Sequence, residues 1–139
     1  MMSNLVLLDT GVVLRYITGD VDVLQRIREL RNQFGALLIC PQVLYEFWVV
    51  ATRFQAQGGF GLKPDQAGQF VNQIVDVFTL LPDPEDLWVY WVQLCVRHGV
   101  SGRQAHDARL VAWMDAYRIS HLYTLNASDF RRYTHIQTV

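Results

Sequence analysis

The chain has 139 residues and a formal net charge of −1; 51% of its residues are hydrophobic and 18% are charged. This composition excludes a disordered chain, which has few apolar residues, and a nucleic-acid coat protein, which is strongly basic. Because the length is typical of one domain with one core, we expect residues 1–139 to fold as a single domain.

No apolar run approaches the roughly 20 residues that a membrane-spanning helix needs. The apolar run near the N-terminus has no basic leader and is interrupted by Asp9, so it is not typical of a signal peptide. We therefore expect a soluble, cytoplasmic protein that does not contact a membrane.

Short apolar runs alternate with amphipathic segments along the chain. The apolar runs predict strands over 5–8, 36–40, 78–82, 122–125 and 135–139. The segments between them predict helices over 12–19, 22–34, 41–58, 64–77, 85–99, 104–117 and 127–133. Continuous apolar runs are typical of strands buried on both faces, and their alternation with helices is typical of a parallel sheet. The predicted fold class is therefore α/β, with a central parallel sheet and helices on both faces.

Four carboxylates occupy places that such a fold brings to one edge of the sheet. Asp9 directly follows the first strand, and Glu46 lies beside the apolar stripe of the helix after the second strand. Asp107 lies near the start of a later helix, and Asp129 lies just after the fourth strand. Ligands bind at the carboxyl ends of strands in open α/β sheets. We therefore expect these four side chains to converge on one site.

The first two acids also have purely structural uses. Asp9 can cap the helix that follows it, as aspartate commonly does. Glu46 can form an ion pair with Arg15 or Arg53. Since an unpaired carboxylate beside an apolar stripe is costly to bury, Glu46 needs either such a partner or a bound cation.

The last two acids have structural alternatives as well. Asp107 can pair with Arg103 one helical turn away. Asn126 is a good N-cap, and Asp129 three residues later completes a box-like capping arrangement. None of the four acids is decisive alone, and only their common placement at one sheet edge favours a site.

A cluster of carboxylates without thiol or imidazole groups suits a hard divalent cation, Mg²⁺ or Mn²⁺. Zinc is not indicated, because the four histidines and two cysteines lack the spacing of zinc ligands. The pattern therefore predicts a magnesium or manganese site at the carboxyl edge of the sheet.

Four segments in this order resemble a known family. They are Leu7-Leu8-Asp9-Thr10, Pro41-Gln42-Val43-Leu44-Tyr45-Glu46-Phe47, His106-Asp107-Ala108-Arg109-Leu110-Val111-Ala112 and Thr124-Leu125-Asn126 with Asp129-Phe130. They resemble PIN-domain proteins and, within that group, VapC-type toxin ribonucleases of toxin–antitoxin systems. The resemblance implies an α/β/α fold, an acidic pocket binding Mg²⁺ or Mn²⁺, and endonucleolytic cleavage of RNA. It also implies a homodimer and a small cognate antitoxin protein.

The resemblance carries the family's three best-kept acids to Asp9, Glu46 and Asp107. Many relatives have an aspartate where this chain has Asn126, and others have an acid just before the phenylalanine. We therefore assign the fourth role to Asp129 and expect these four acids to be both the metal ligands and the catalytic groups. Because an amide is a weaker ligand, the resemblance does not fix whether one or two ions bind.

Five further residues are expected to orient the site or bind the substrate. Thr10, Thr124 and Asn126 can orient carboxylates through hydroxyl or amide groups. Arg15 and Arg103 are the chosen candidates, among several arginines, for contacts to RNA phosphates, whose geometry guanidinium groups match.

Three other functions compete with a ribonuclease. A receiver-like phospho-acceptor module needs a lysine late in the chain, and the only lysine is Lys63. A structure-specific DNA nuclease needs additional DNA-binding elements for which 139 residues leave no room. A non-catalytic PIN-fold interaction or RNA-binding module stays open, because Asn126 replaces an acid and a fold can outlive its function.

Overall fold

A computed structural model describes residues 4–139 and shows five strands and six α-helices within that range. The strands are β1 (Leu5–Leu8), β2 (Ala36–Ile39), β3 (Thr79–Leu80), β4 (His121–Tyr123) and β5 (Gln137–Thr138). The helices are α1 (Thr10–Ile17), α2 (Val21–Gln33), α3 (Pro41–Thr52), α4 (Pro64–Val77), α5 (Leu87–His98) and α6 (Gln104–Tyr117). Short 3-10 helices cover Gln55–Gln57 and Ala127–Phe130.

All five strands form one parallel sheet in the order β3-β2-β1-β4-β5. The chain first adds β2 and β3 on one side of β1 and then crosses to β4 and β5 on the other side. Because such crossovers are right-handed, α1 to α4 cover one face of the sheet, while α5 and α6 cover the opposite face. Accordingly, α1 packs on α3, and α5 packs on α6. The predicted α/β class with helices on both faces is confirmed.

The central strands form the middle of the core. Val6, Leu7 and Leu8 of β1 are completely buried, as a continuous apolar run between two helical layers requires. Trp113 of α6 and Phe47 of α3 are also fully buried. The edge strands β3 and β5 are two residues long and exposed, so they offer little edge for pairing with another chain.

Helix α1 begins at Thr10, earlier than the predicted start at residue 12. The backbone carbonyl of Asp9 accepts hydrogen bonds from Val12 and Val13 at 3.1 and 3.2 Å, so the helix starts directly at the end of β1. Asp9 is therefore fixed by a strand on one side and a helix on the other.

Helix α3 ends at Thr52, well before the predicted end at residue 58. The chain turns back after Arg53, and the backbone N–H groups of Phe60 and Leu62 donate to the carbonyls of Val50 and Ala51 at 3.0 and 2.9 Å. The returning loop thus satisfies the last helical carbonyls, which a longer helix otherwise satisfies itself.

The strands β3, β4 and β5 are shorter than predicted, α5 begins at Leu87 rather than residue 85, and the segment 127–133 is a 3-10 helix ending at Phe130. Pro82 limits β3, since proline has no N–H to donate to a strand ladder. Within residues 4–139, none of the helices is both long and apolar enough to cross a bilayer.

Candidate acidic site at the switch point of the sheet

The site lies where the strand order reverses, between β1 and β4. Such switch points open a crevice at the carboxyl ends of the strands, where ligands bind in α/β folds. Asp9 directly follows β1, and Thr124 directly follows β4. The hydroxyl of Thr124 donates a hydrogen bond to Asp9 Oδ2 at 2.8 Å, although the two residues are 115 positions apart. The two strand ends are therefore joined at the crevice.

Asp9 combines the two uses that its position suggested. One carboxylate oxygen, Oδ1, accepts from the backbone N–H of Thr10 at 2.7 Å at the start of α1, while Oδ2 accepts from Thr124. Burial raises the pKa of Asp9, and these two hydrogen bonds oppose that rise. Helix capping and membership of the acidic site are therefore compatible.

Glu46 of α3 is linked to Asp9 through one residue. The hydroxyl of Thr10 donates to Glu46 Oε1 at 3.0 Å, and the amide nitrogen of Gln42 is 3.5 Å from the same oxygen. Among residues 4–139, neither Arg15 nor Arg53 forms an ion pair with Glu46. Thr10 thus orients two acids at once, through its backbone and its side chain.

Asp107 lies in the first turn of α6 and is half-buried. Burial, together with the negative charges of Asp9, Asp129 and Glu46, raises its pKa to about 6. The structure therefore brings the four acids close enough for their charges to interact. In the part of the chain described, Asp107 does not form the alternative ion pair with Arg103.

Asn126 and Asp129 do not form the capping arrangement that was the structural alternative to a role in the site. Asn126 occupies the N-cap position of the 3-10 helix Ala127–Phe130, but its side chain makes no capping hydrogen bond. Its backbone N–H instead donates to the hydroxyl of Thr124 at 3.1 Å. Asn126 thus supports the residue that holds Asp9, and its exposed amide stays available, as does the exposed carboxylate of Asp129.

A polar pocket of about 440 Å³ opens in front of these acids. Its walls are formed by Glu46, Arg103, Gln104, His106, Asp107, Ser128, Asp129 and Arg132. Asp9 does not line this pocket. We did not predict Gln104, His106 and Ser128 as site residues, although all three are close neighbours of predicted acids in the chain.

The two arginines chosen from the sequence lie in different places. Arg103 lines the pocket with an exposed side chain. Arg15 is 60% exposed and pairs with Asp20 at 3.3 Å, and it is not part of the pocket wall. Arg132, a further arginine of the wall, donates to Gln104 Oε1 at 2.6 Å. The pocket wall thus combines two arginines with three carboxylates.

The chemistry of these donors fits a hard divalent cation. The four acids provide carboxylate oxygens, which Mg²⁺ and Mn²⁺ prefer. Between residues 4 and 139, however, no three histidine, cysteine, aspartate or glutamate side chains are already arranged to hold a metal ion. The acids share one electrostatic field without forming a closed coordination cage.

Comparison with solved structures finds proteins of similar fold, among them two VapBC proteins and a VapC toxin. Rickettsia felis VapBC2 bound to promoter DNA has a TM-score of 0.74 at 15% identity, covering 97% of both chains. Haemophilus influenzae VapBC-1 gives 0.68 at 16% identity, covering 97% of this chain and 96% of that chain. Mycobacterium tuberculosis VapC20, a sarcin-ricin-loop-cleaving toxin, gives 0.63 at 17% identity, covering 91% and 93%. At these identities the likeness establishes the fold.

Comparison of the sequence with curated proteins gives no match. The family model of the PIN domain, in contrast, matches residues 6–136. This range contains every predicted acid and both threonines that orient Asp9. The chain therefore belongs to the PIN domain family.

Proposed function

We propose that this chain, over residues 1–139, is a metal-dependent endoribonuclease and the toxin of a toxin–antitoxin pair. The observation that carries the proposal is the convergence of Asp9, Glu46, Asp107 and Asp129 at the switch point of the sheet. These four acids would hold Mg²⁺ or Mn²⁺. A bound cation would supply Lewis acidity and charge neutralisation for hydrolysis of a phosphodiester bond.

The residues around the acids have separate tasks in this proposal. Thr124 and Thr10 fix the carboxylate of Asp9, and Thr10 also fixes Glu46, before any substrate arrives. Arg103 binds a phosphate of the substrate at the pocket rim, since guanidinium groups match phosphate geometry. Asp107, with its raised pKa of about 6, loses its proton readily when a cation enters.

RNA is favoured as the substrate by the fold relatives. VapC20 is described as cleaving the sarcin-ricin loop. Proteins that recognise RNA usually contact unpaired bases in loops, bulges or ends. We therefore expect cleavage in a loop of a structured RNA.

The test is incubation of the purified protein with structured RNA in Mg²⁺, in Mn²⁺ and in excess chelator. We expect discrete cuts with either metal and none with chelator. An Asp9→Asn protein from the same preparation controls for contaminating ribonucleases. Cuts that persist in chelator, or that the Asp9→Asn protein makes equally well, contradict the assignment.

A second candidate is a non-catalytic interaction or RNA-binding module with the same fold. Two observations favour it, namely Asn126 at a position where an acid is expected and the absence of a closed metal-binding group in residues 4–139. This module binds RNA or a protein partner without cutting RNA under any metal condition. The cleavage assay therefore separates the two candidates.

A homodimer is proposed on an exposed apolar surface of α3 and α5. Tyr45 is 65% exposed, Val49 57% and Trp88 67%. The apolar grooves containing these residues meet at His106 and Arg109, which line both. Because Glu46 lines one of these grooves as well as the acidic pocket, a partner copy here would lie beside the site. Sedimentation of the wild-type and Trp88→Ala proteins measures the oligomeric state. We expect a dimer for the wild type and a monomer for Trp88→Ala.

A small antitoxin protein is proposed as the second partner, and both proteins act in the cytoplasm. A Klebsiella pneumoniae neighbour is described as a toxin–antitoxin complex; it has a TM-score of 0.68 at 18% identity and covers 96% of both chains. In this chain, an apolar groove of about 590 Å³ runs between α3 and α4. Amphipathic helices dock in grooves of this kind. We expect the product of the adjacent reading frame to bind there and to inhibit RNA cleavage.

A further inference from the structure

Gln42 is a buried polar side chain one helical turn before Glu46, and only 6% of it is exposed. Its amide is engaged at both ends. Oε1 accepts from Arg109 Nη1 at 3.0 Å. Nε2 donates to the backbone carbonyl of His106 at 2.8 Å and lies 3.5 Å from Glu46 Oε1. Gln42 therefore connects α3 to α6 beside Glu46 and His106, two residues of the acidic pocket, without lining that pocket itself.

Arg109 determines which way this amide faces. A guanidinium group has only donors, so it can bond only to the oxygen of the Gln42 amide, and the NH₂ group must face His106 and Glu46. Arg109 is fixed in turn by Asp83, whose Oδ2 accepts from Nη2 at 2.7 Å. Asp83 and Arg109 are two-thirds buried and balance each other's charge.

The bond to His106 acts on the acid that follows it in the chain. The carbonyl of His106 belongs to the peptide group that joins it to Asp107, so holding this carbonyl holds the backbone of Asp107. Glu46 and Asp107 stand on helices from opposite faces of the sheet. The Gln42 amide contacts both sides, through the Glu46 carboxylate and the His106 carbonyl.

We propose that Gln42 and Arg109 are positioning residues that hold Glu46 and Asp107 at the separation needed to share one divalent cation. This inference rests on the proposed metal-dependent function and goes beyond it, because neither residue is one of the predicted ligands. Groups that orient metal ligands through hydrogen bonds typically change metal affinity or activity about 10–100-fold when they are lost.

The test measures Mn²⁺ affinity in the metal-free full-length protein without RNA, by electron paramagnetic resonance titration. Gln42→Leu keeps the side-chain size and removes the amide, while Arg109→Met removes the guanidinium group. We expect each to bind Mn²⁺ about 10–100-fold more weakly. The matched control is Arg26→Met, which removes an arginine from the surface ion pair with Glu29 and should leave Mn²⁺ affinity unchanged.

The double variant tests whether the two residues act as one unit. If Arg109 acts only by orienting Gln42, the double variant binds Mn²⁺ about as weakly as Gln42→Leu alone, because coupled residues have non-additive effects. If the two losses of Mn²⁺ affinity add fully, Arg109 does not act through Gln42. A folded Gln42→Leu protein with wild-type Mn²⁺ affinity would overturn the whole inference.

Folding and the underlying function are controlled separately. Thermal unfolding confirms that each variant is folded, and Arg109→Lys keeps the buried charge if Arg109→Met does not fold. Lysine lacks the planar fork that contacts Gln42 and Asp83 together, so we still expect weaker Mn²⁺ binding; wild-type affinity in Arg109→Lys would overturn the role of the fork. A wild-type protein that binds no Mn²⁺ contradicts the proposed function itself.

Discussion

The acidic site has an inner half, Asp9 and Glu46, and an outer half, Asp107 and Asp129, and the two halves are built differently. Asp9 and Glu46 accept hydrogen bonds from threonine hydroxyls, and Asp9 also accepts one from a helical N–H. Asp107 and Asp129 accept none from other side chains in residues 4–139, and the pKa of Asp107 is raised to about 6 by burial and neighbouring charges. The inner acids are thus fixed by the fold, whereas the outer acids retain charge that is not compensated.

This difference indicates how the site divides its work. Carboxylates that are already oriented lose little freedom on binding a cation, so the inner half would provide a rigid platform in the proposed metal site. The outer half would supply the attraction, because clustered negative charges repel one another without a cation. Substitutions in the two halves should therefore have different consequences for metal binding and for stability.

The largest effect is expected for Asp9→Asn. It removes the most buried charge of the inner half and leaves an amide, which is a weaker ligand for Mg²⁺. We expect RNA cleavage to fall more than about 100-fold, beyond the range typical of residues that only orient ligands. Cleavage rates in Mg²⁺ and in Mn²⁺ provide the measurement, and retention of wild-type cleavage rules out Asp9 as a ligand.

A smaller effect is expected for Thr124→Val, which keeps the side-chain shape and removes the hydroxyl that joins the two strand ends. Asp9 then loses one of its donors, and Mn²⁺ affinity should fall about 10–100-fold. Thr124→Ser restores the hydroxyl and should recover most of the affinity. Equal affinities in the valine and serine variants would show that the inner half does not depend on this bond.

Substitution of Asp107 in the outer half should change the free energy of unfolding of the metal-free protein. The pKa of Asp107 in the metal-free fold is about 6, above that of an aspartate in the unfolded chain. Its contribution to stability is therefore fully present below about pH 4 and is lost as the pH rises through about 6. Because the side chain is half exposed, we expect Asp107→Asn to stabilise the metal-free protein at pH 8 by only about 1 kcal/mol.

Urea unfolding in chelator at pH 4.5 and pH 8 measures this effect. The variant and the wild type should differ at pH 8 and converge at pH 4.5. If the variant and the wild type differ in free energy of unfolding by the same amount at both pH values, repulsion among the outer acids is not the cause.

The smallest effect is expected for substitution of an arginine. The sequence analysis chose both Arg15 and Arg103 as candidates for contacts to RNA phosphates. Arg103 lines the pocket, whereas Arg15 pairs with Asp20 outside it. We expect Arg103→Ala to weaken RNA binding several-fold and to reduce the salt dependence by about one phosphate contact. Arg15→Ala serves as the matched control and should bind RNA like wild type in salt titrations with a catalytically inactive background.

Much of this site follows from local sequence. The apolar run before Asp9 correctly predicts a buried strand, and the alternation of strands and helices correctly predicts the sheet. These features depend on neighbouring residues, so a short window is enough to detect them. The common edge of the four acids then follows from the parallel topology.

The hydrogen-bond partners do not follow from local sequence. Thr10 and Glu46 are 36 positions apart, and their contact depends on how α1 packs on α3. The capping alternative for Asn126 is not realised: its side chain makes no capping hydrogen bond, and its backbone N–H bonds to Thr124. Gln42 could have been noticed, since it stands one helical turn before Glu46.

The bond between Thr124 and Asp9 also has a consequence for synthesis of the protein. A ribosome makes Asp9 early and Thr124 late, and the two are separated by 115 positions. Contacts between such distant residues form late in folding. Until β4 has emerged and paired with β1, the nascent chain has neither the crevice nor the hydroxyl that orients its first acid. The acidic site therefore cannot form until β4 and the residue that follows it have left the ribosome.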